Sequence, residues 1–450
     1  MTRRRRKQPS KREQGVALVM VLTIIAVITV FVAELTQNTT TAFQVAISER
    51  DRLRAEYIAK SGLNLTRLVI AKEPQIRAIV APMYQMVLQR PPPQMNVWTF
   101  ADTILAPFAN YGAAKESGAE SGIDFSQMKG LKDTGGTFEI VAMPENTRLN
   151  VNNPLYLNGT EAQRSLAMQL FALTGGFQQQ SPYDAMFNGI DPDGQITTRL
   201  DVVSDVIDWW DWDQQKTDFN AGAQSVSSGG GEDDIYSRFQ DPYLVKNSAF
   251  DSLEELRMIR GVTDDFWATF VQSDPDDPRT RHLTVYGSGA INPNEAPPEV
   301  LVARVCSFVP EQPLCNDPLQ MAAFTELLRT ARQFMPIPWF TTPNDFMNFV
   351  QGKGGSHDLY PMLSGLQAMM PAIKPLLLWT PIVVPQDKLD QLKGSFVTGA
   401  RIFTIQSTGT VGHASVRLSS VVNFDDHWTP PPPSAGHMGS LGVFHHFRVD

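Results

Sequence analysis

The chain has 450 residues, 42% of them apolar and 19% charged, which suits two or three globular domains and excludes a disulfide scaffold, since only two are cysteine. Its net charge of −9 hides an asymmetry: residues 1–15 hold seven of the 38 Lys/Arg and one of the 47 Asp/Glu, so the remainder carries 31 basic against 46 acidic residues, a net of −15. An acidic body does not suit nonspecific nucleic-acid binding, which rests on Lys and Arg neutralising phosphates; it does suit divalent cations.

The basic run of Arg3, Arg4, Arg5, Arg6, Lys7, Lys11 and Arg12 ends just before Gly15, and an apolar run begins at once. Val16 to Ala33 is eighteen residues without charge, polar only at Thr23 and Thr29. As a helix it spans about 27 Å, close to the ~30 Å hydrocarbon core of a bilayer. It is longer than the apolar core of a secretory signal, and VAELTQNTT follows it in place of a small-residue cleavage site. The positive charges put the N-terminus in the cytoplasm and the body outside. From Glu34 to about Ile70, Ala42, Val45, Ala46, Leu53, Tyr57, Leu63 and Leu68 recur at three- and four-residue steps, and no proline occurs between Pro9 and Pro74. The pattern fits one long helix, or an anchor followed by a separate surface helix.

QRPPPQMN (89–96) is an extended connector. Residues 97–135 carry no sharp signal. GTFEIVAMPENTRLNVNN (136–153) is the first strand, with Phe138, Ile140 and Ala142 alternating. A helical stretch follows. GTEAQRSLAMQLFALTGG has a cap at Thr160 and stops at Gly175 and Gly176; Thr198–Asp213 is a second helix, ending in acid and tryptophan. FDSLEELRMIRGVTDDFWATF reads as helix–turn–helix, with Ser252 and Glu255 as a capping box and Gly261 as the stop. GAINPNEAPPEVLVARV is a tight turn and a helix, with Pro298 in the first turn. Residues 316–394 lean helical with proline breaks. Ala400–Phe424 reads as two strands joined at GTVGHA, and the Pro/His-containing remainder as a flexible tail. Strands therefore bracket helices, which is an α+β layout with a large helical insertion.

The most suggestive chemistry lies in DVIDWWDWD, which places Asp205, Asp208, Asp211 and Asp213 within nine residues, and in GGGEDDIY, which adds Glu232, Asp233 and Asp234. Calcium takes about six to eight hard oxygens at roughly 2.3–2.6 Å, and a carboxylate row facing an acidic loop supplies them. Without a cation, so many like charges repel. There is no EF-hand pattern, so a solvated acidic helix end is the competing reading. GIDPDG (189–194) is first a turn sequence and only second a metal loop. Cys306 and Cys315 are either bonded, which would add roughly 2–3 kcal/mol, or both free. Neither GxSxG, HExxH nor a phosphate-binding loop occurs, so no enzyme is indicated. The turns in GAINPNEAPPEVL and SLEELRMIRGVT look like helix–hairpin–helix units, but Asn292, Asn294, Glu295, Glu299, Asp264 and Asp265 surround them where a DNA grip needs Lys and Arg.

The break KREQG|VALVM resembles the leader of type IV prepilins and type II secretion pseudopilins. RLNVNN, DVIDWWDWD, GGGEDDIYSRFQDPYLVKNSAFDSLEELRMIRGVTDDFW and LTVYGSGAINPNEAPPEVL follow in the order found in minor pseudopilin K (general secretion pathway protein K). This resemblance covers the anchor and most of residues 136–305. It implies cleavage by the prepilin peptidase after Gly15, N-methylation of Val16 and retention of the apolar helix. Family members usually have Phe at the first mature position and Glu at the fifth; here they are Val16 and Met20. A missing glutamate is the habit of the K subunit, which sits at the pseudopilus tip. The resemblance further implies a pilin-like long helix and small antiparallel sheet interrupted by an α-helical domain. It implies calcium near Asp208, Asp211, Asp213, Glu232, Asp233 and Asp234. The implied partners are minor pseudopilins I and J, other pseudopilins and the inner-membrane assembly platform, with no nucleic acid. The chain would lie in the inner membrane with its body in the periplasm, where it would help start the filament that exports folded proteins. The other reading of the same features is a minor pilin of a type IV pilus or a DNA-uptake pseudopilus.

The expected division is a leader at 1–15, a transmembrane and amphipathic spine at 16–73, a first pilin-like part at 74–150, a helical insertion at 151–305, a helical extension at 306–394, C-terminal strands at 395–425 and a flexible tail at 426–450.

Overall fold

The computed structural model describes residues 11–89, 91–101, 105, 135–153, 159–189, 194, 196–232, 236–237, 241–334, 338–354, 360–361, 379–425 and 441–450. Helix α1 (Lys11–Ala71) runs unbroken for 61 residues, about 90 Å at the usual rise. The anchor and the amphipathic segment are therefore one element. The hydroxyls of its threonines are satisfied locally. Thr23, Thr29, Thr36, Thr39 and Thr40 each return the hydroxyl to a carbonyl one turn back, at 2.7–2.9 Å. Apolar side chains from Val16 to Phe31 lie exposed around the whole circumference, and among the described residues this is the one helix long and apolar enough to cross a membrane.

Past Lys72 the chain resumes as α2 (Glu73–Leu88), with a proline in its first turn. Strands β1 (Gly136–Pro144) and β2 (Leu149–Asn150) lead to α3 (Gly159–Leu173) and α4 (Arg199–Trp210). A hairpin of β3 (Gln215–Asn220) and β4 (Ser225–Gly231) comes next, then β5 (Leu283–Thr284) and α5 (Pro298–Cys306). After them come α6 (Pro318–Phe334), α7 (Pro343–Val350), α8 (Gln386–Gly394), β6 (Ile402–Val411), β7 (Ala414–Asn423) and β8 (Val443–Val449).

Four strands form one antiparallel sheet in the order β1-β6-β7-β8. The C-terminal part of α1 lies on it. Ala55, Ile58, Ala59 and Leu63 pack against Phe138, Ile140, Phe403, Ile405 and Leu418. The approach is close enough to require glycine at one point: a methyl group on Gly409 would stand 2.1 Å from the Ala55 carbonyl oxygen. The β6–β7 hairpin turns at Gly412 and His413, as GTVGHA predicts. The tail reading is corrected in part. Residues 426–440 lie outside the described residues, but Val443–Val449 is a fourth strand paired with β7. Its alternation is hidden behind the proline run, and Arg67 of α1 holds it by donating to the carbonyls of Leu441 and Gly442 at 2.8 and 2.9 Å.

The helical insertion has its own core, running from Leu149 and Leu166 through Val206, Phe219, Leu256 and Val300 to Phe324, Phe346, Phe349, Trp379 and Phe396. Residues from 306–394 and from 151–305 share it, so the expected boundary at 305/306 is not a boundary in the packing. A disulfide joins Cys306 at the end of α5 to Cys315, both buried in this core. The reading of SLEELRMIRGVTDDFWATF as two α-helices is corrected: it forms a 3₁₀ segment (Leu253–Met258), one α-turn (Asp264–Phe266) and a π segment (Trp267–Val271). The capping box at Ser252 and Glu255 is present nonetheless.

Buried polar contacts join the two cores. Glu145, just past β1, pairs with Arg148 at 2.7 Å and accepts the hydroxyls of Thr284 in β5 and Thr404 in β6. Trp98 donates its indole N–H to Glu295 at 2.8 Å.

Candidate metal centre

Helix α4 begins with a capping box formed by Thr198 and Asp201 and ends at Asp211. Its apolar positions, Val202, Val203, Val206 and Ile207, face the insertion core. Asp205 and Asp208 are consequently carried inward beside them, and all three acids from Asp205 to Asp211 are buried. The chain then turns back as β3. Phe219 of β3 packs against Phe171 with ring centroids 5.6 Å apart, which holds this strand over the end of α4. β4 returns antiparallel and delivers Glu232, 3% exposed, to the same place.

Asp208, Asp211 and Glu232 each offer an oxygen such that all three oxygens lie within 4.8 Å of one another. The Thr217 N–H donates to Asp208 Oδ1 at 2.7 Å, and Gln163 Nε2 donates to Asp211 Oδ2 at 2.7 Å. These bonds fix two carboxylates and leave oxygens over. Asp211 Oδ1 and both oxygens of Glu232 are buried without a hydrogen-bond partner of good geometry. A buried carboxylate oxygen with no donor is costly, so the set is incomplete as a purely protein structure.

The electrostatics agree. Burial pushes Asp208 up to about 7, partly offset by hydrogen bonds from Thr217, with Asp205 adding repulsion. Burial pushes Asp211 up to about 7, against the Gln163 hydrogen bond, with Asp213 and Asp208 repelling it. Glu232 rises to about 8, first through burial and then through repulsion by Asp208, Asp211 and Asp213, with a small opposing effect of Asn247. The acids also sit at the C-terminal end of α4, where the helix dipole is negative and favours cations. Three hard oxygen donors, unpaired buried lone pairs and a negative helix end all fit a calcium-like cation. Such a cation, with its two positive charges, would offset two of the three negative ones.

The six acids expected at the site do not all converge. Asp208, Asp211 and Glu232 do. Asp213 is exposed and accepts the Gln215 N–H at 2.8 Å, so it acts on the cluster only through its charge. Asp233 and Asp234 lie outside the described residues. Asp205, which belongs to the same acid row, is buried with Oδ2 unpaired and is pushed up to about 7 by burial, against the pull of Lys216. It stands outside the group of three. Thr217 and Gln163 were invisible as site residues, because nothing in a strand threonine or a helix glutamine signals that it faces a carboxylate.

The polar groups around the hairpin-like turns are consumed inside the protein. Asn294 Oδ1 accepts the N–H groups of Trp339 and Phe340 at 2.9 and 2.8 Å, and Glu299 pairs with Arg329. Trp209 is buried and donates to Glu255 at 3.3 Å, whereas Trp212 is 86% exposed.

No curated protein matches the chain. Among solved structures it is similar to a chain of the GspK–GspI–GspJ complex from the type 2 secretion system of enterotoxigenic Escherichia coli. That likeness has 15% identity over 76% of this chain and 94% of that chain, with a TM-score of 0.38. Residues 147–271 match the family model for protein K of the type II secretion system (T2SS), a span that contains α3, α4, the β3–β4 hairpin and every member of the carboxylate cluster. By that match residues 147–271 are similar to protein K of the type II secretion system.

Proposed function

We propose that this chain is the K-type minor pseudopilin of a type II secretion system, a non-catalytic assembly subunit. α1 holds it in the inner membrane with the body on the periplasmic side. The prepilin peptidase cuts after Gly15 and leaves Val16 as a methylated N-terminus. Calcium binds Asp208, Asp211 and Glu232 and stabilises the helical insertion. At the filament tip it joins minor pseudopilins I and J through α1 and helps start the pseudopilus on the inner-membrane platform.

The observation that carries this reading is the protein K region at 147–271 in a chain whose α1 runs without a break from an apolar, exposed stretch onto the body's own sheet. A helix built in this way can lie in a bilayer and pack beside like helices in a filament without refolding. The tip position is supported by Met20, an uncharged residue where a subunit below another would use a carboxylate.

The test is capture of the full-length chain, co-expressed with I and J and extracted in detergent. A complex containing both partners is expected. Failure to bind either, together with retardation of DNA in a gel-shift assay, would overturn the reading in favour of DNA uptake.

A further inference from the structure

The β3–β4 hairpin is an unusual thing to find ordered. Among the described residues it is a two-stranded sheet with no third strand, and such a unit is marginal in water without other support. Its two strands are supported unequally. β3 is anchored by side chains: Thr217 and Phe219 are buried, the Phe219 N–H donates to Ser204 Oγ at 3.3 Å, and the Thr217 N–H is held by Asp208. β4 reads SVSSGGG, and only Val226 is partly buried. Gly229 and Gly230 have open space where a side chain would be, so they are not there to admit a neighbour. Three consecutive glycines lose much entropy on ordering and offer nothing to pack. The first buried side chain after Val226 is Glu232, and it enters a pocket that already holds Asp208 and Asp211.

Unneutralised, Glu232 is repelled from that pocket by the carboxylates it meets there. The end of β4 is therefore held by a residue that the protein alone pushes away. Both oxygens of Glu232, 3% exposed and without a partner of good geometry, point to a ligand and not to a protein contact.

We propose that a divalent cation at Asp208, Asp211 and Glu232 works as a staple for β4, so that residues 225–232 are ordered in the loaded protein and fray in the stripped one. Asp208 and Asp211 belong to α4 and stay with the insertion core. Val226 packs against that core, and among the described residues Glu232 joins the end of the far strand to the two carboxylates. The cation thus controls a local arm, residues 225–232, while α3, α4 and the main sheet keep their packing. This inference rests on the calcium reading of the site and adds where the effect of the cation is felt.

Hydrogen exchange on the full-length protein in detergent, with calcium or with EGTA, tests it. Stripping is expected to raise exchange in 225–232 by at least about tenfold, to raise it less in 215–220, and to leave α3 (159–173) and β6–β7 unchanged. Glu232→Gln, which keeps the side chain's size and removes its charge, should make exchange in 225–232 independent of calcium. If titration calorimetry shows calcium binding and 225–232 is equally protected with and without it, the staple is wrong and the site reading stands. If calcium does not bind at all, both are wrong.

Discussion

Gly409 shows how one residue sets the distance between the spine and the sheet. With a methyl group 2.1 Å from the Ala55 carbonyl, α1 must lift off the sheet. Gly409→Ala is expected to destabilise the body by about 1–3 kcal/mol, read as a lowered urea midpoint with an unchanged slope. At the other end of α1, Val16 carries the processing proposal. Intact mass analysis of the protein purified from membranes should find a methylated N-terminus at Val16; a retained Met1–Gly15 segment would contradict it. A third residue, Glu295, makes a prediction in pH. Burial raises it to about 7 from 4.5, offset in part by the Trp98 hydrogen bond and by Arg332. Its folded value lies above its unfolded one, so the stability it contributes is present in full below about 4.5 and is lost as pH rises through 7. Glu295→Gln should therefore gain melting temperature over the parent at pH 8 and gain none at pH 4; equal effects at the two pH values would contradict this.

The elements differ in how plainly the sequence declares them. β1, β6 and β7 were legible because apolar and polar residues alternate and GTVGHA marks the turn. α4 was legible from Thr198 and Asp201 at its start and the acids at its end. β3 and β4 were not, because QKTDFN and SVSSGGG lack the branched and aromatic residues that mark strands. Their order comes from Phe219 on Phe171 and from the carboxylate cluster, both contacts between residues far apart in the chain. The site was half legible for the same reason. A row of acids shows that a cation is plausible chemistry, but only the fold decides that Asp208 and Asp211 point inward while Asp213 points out. The shared core of α5, α6 and α7 was equally hidden, since helical periodicity shows that a face is buried and not which neighbour buries it. The disulfide that joins the end of α5 to Cys315 supports that core. Replacing both cysteines by serine is expected to lower stability by about 2–3 kcal/mol and to leave the sheet's exchange protection in place, measured by denaturation and hydrogen exchange.

At the scale of the whole molecule, two cores are joined by the Glu145–Arg148 pair and its threonine partners, and by Trp98 on Glu295. Burial works against the charge on Glu145, but Arg148, Thr284 and Thr404 outweigh it and hold the carboxyl below its ordinary range. The sheet side continues through α1 into the apolar stretch that is long enough to cross a membrane, and the insertion side carries the carboxylates. A cation bound at the proposed site would strengthen the insertion without touching the helix proposed to pack in a filament. The most direct measurement of that central claim is calorimetric titration of the full-length protein, in detergent, with calcium. The account predicts saturable binding that Glu232→Gln weakens by at least about tenfold, because one of three charged ligands is gone. Binding of equal strength in the parent and in Glu232→Gln, or no binding in either, would contradict it.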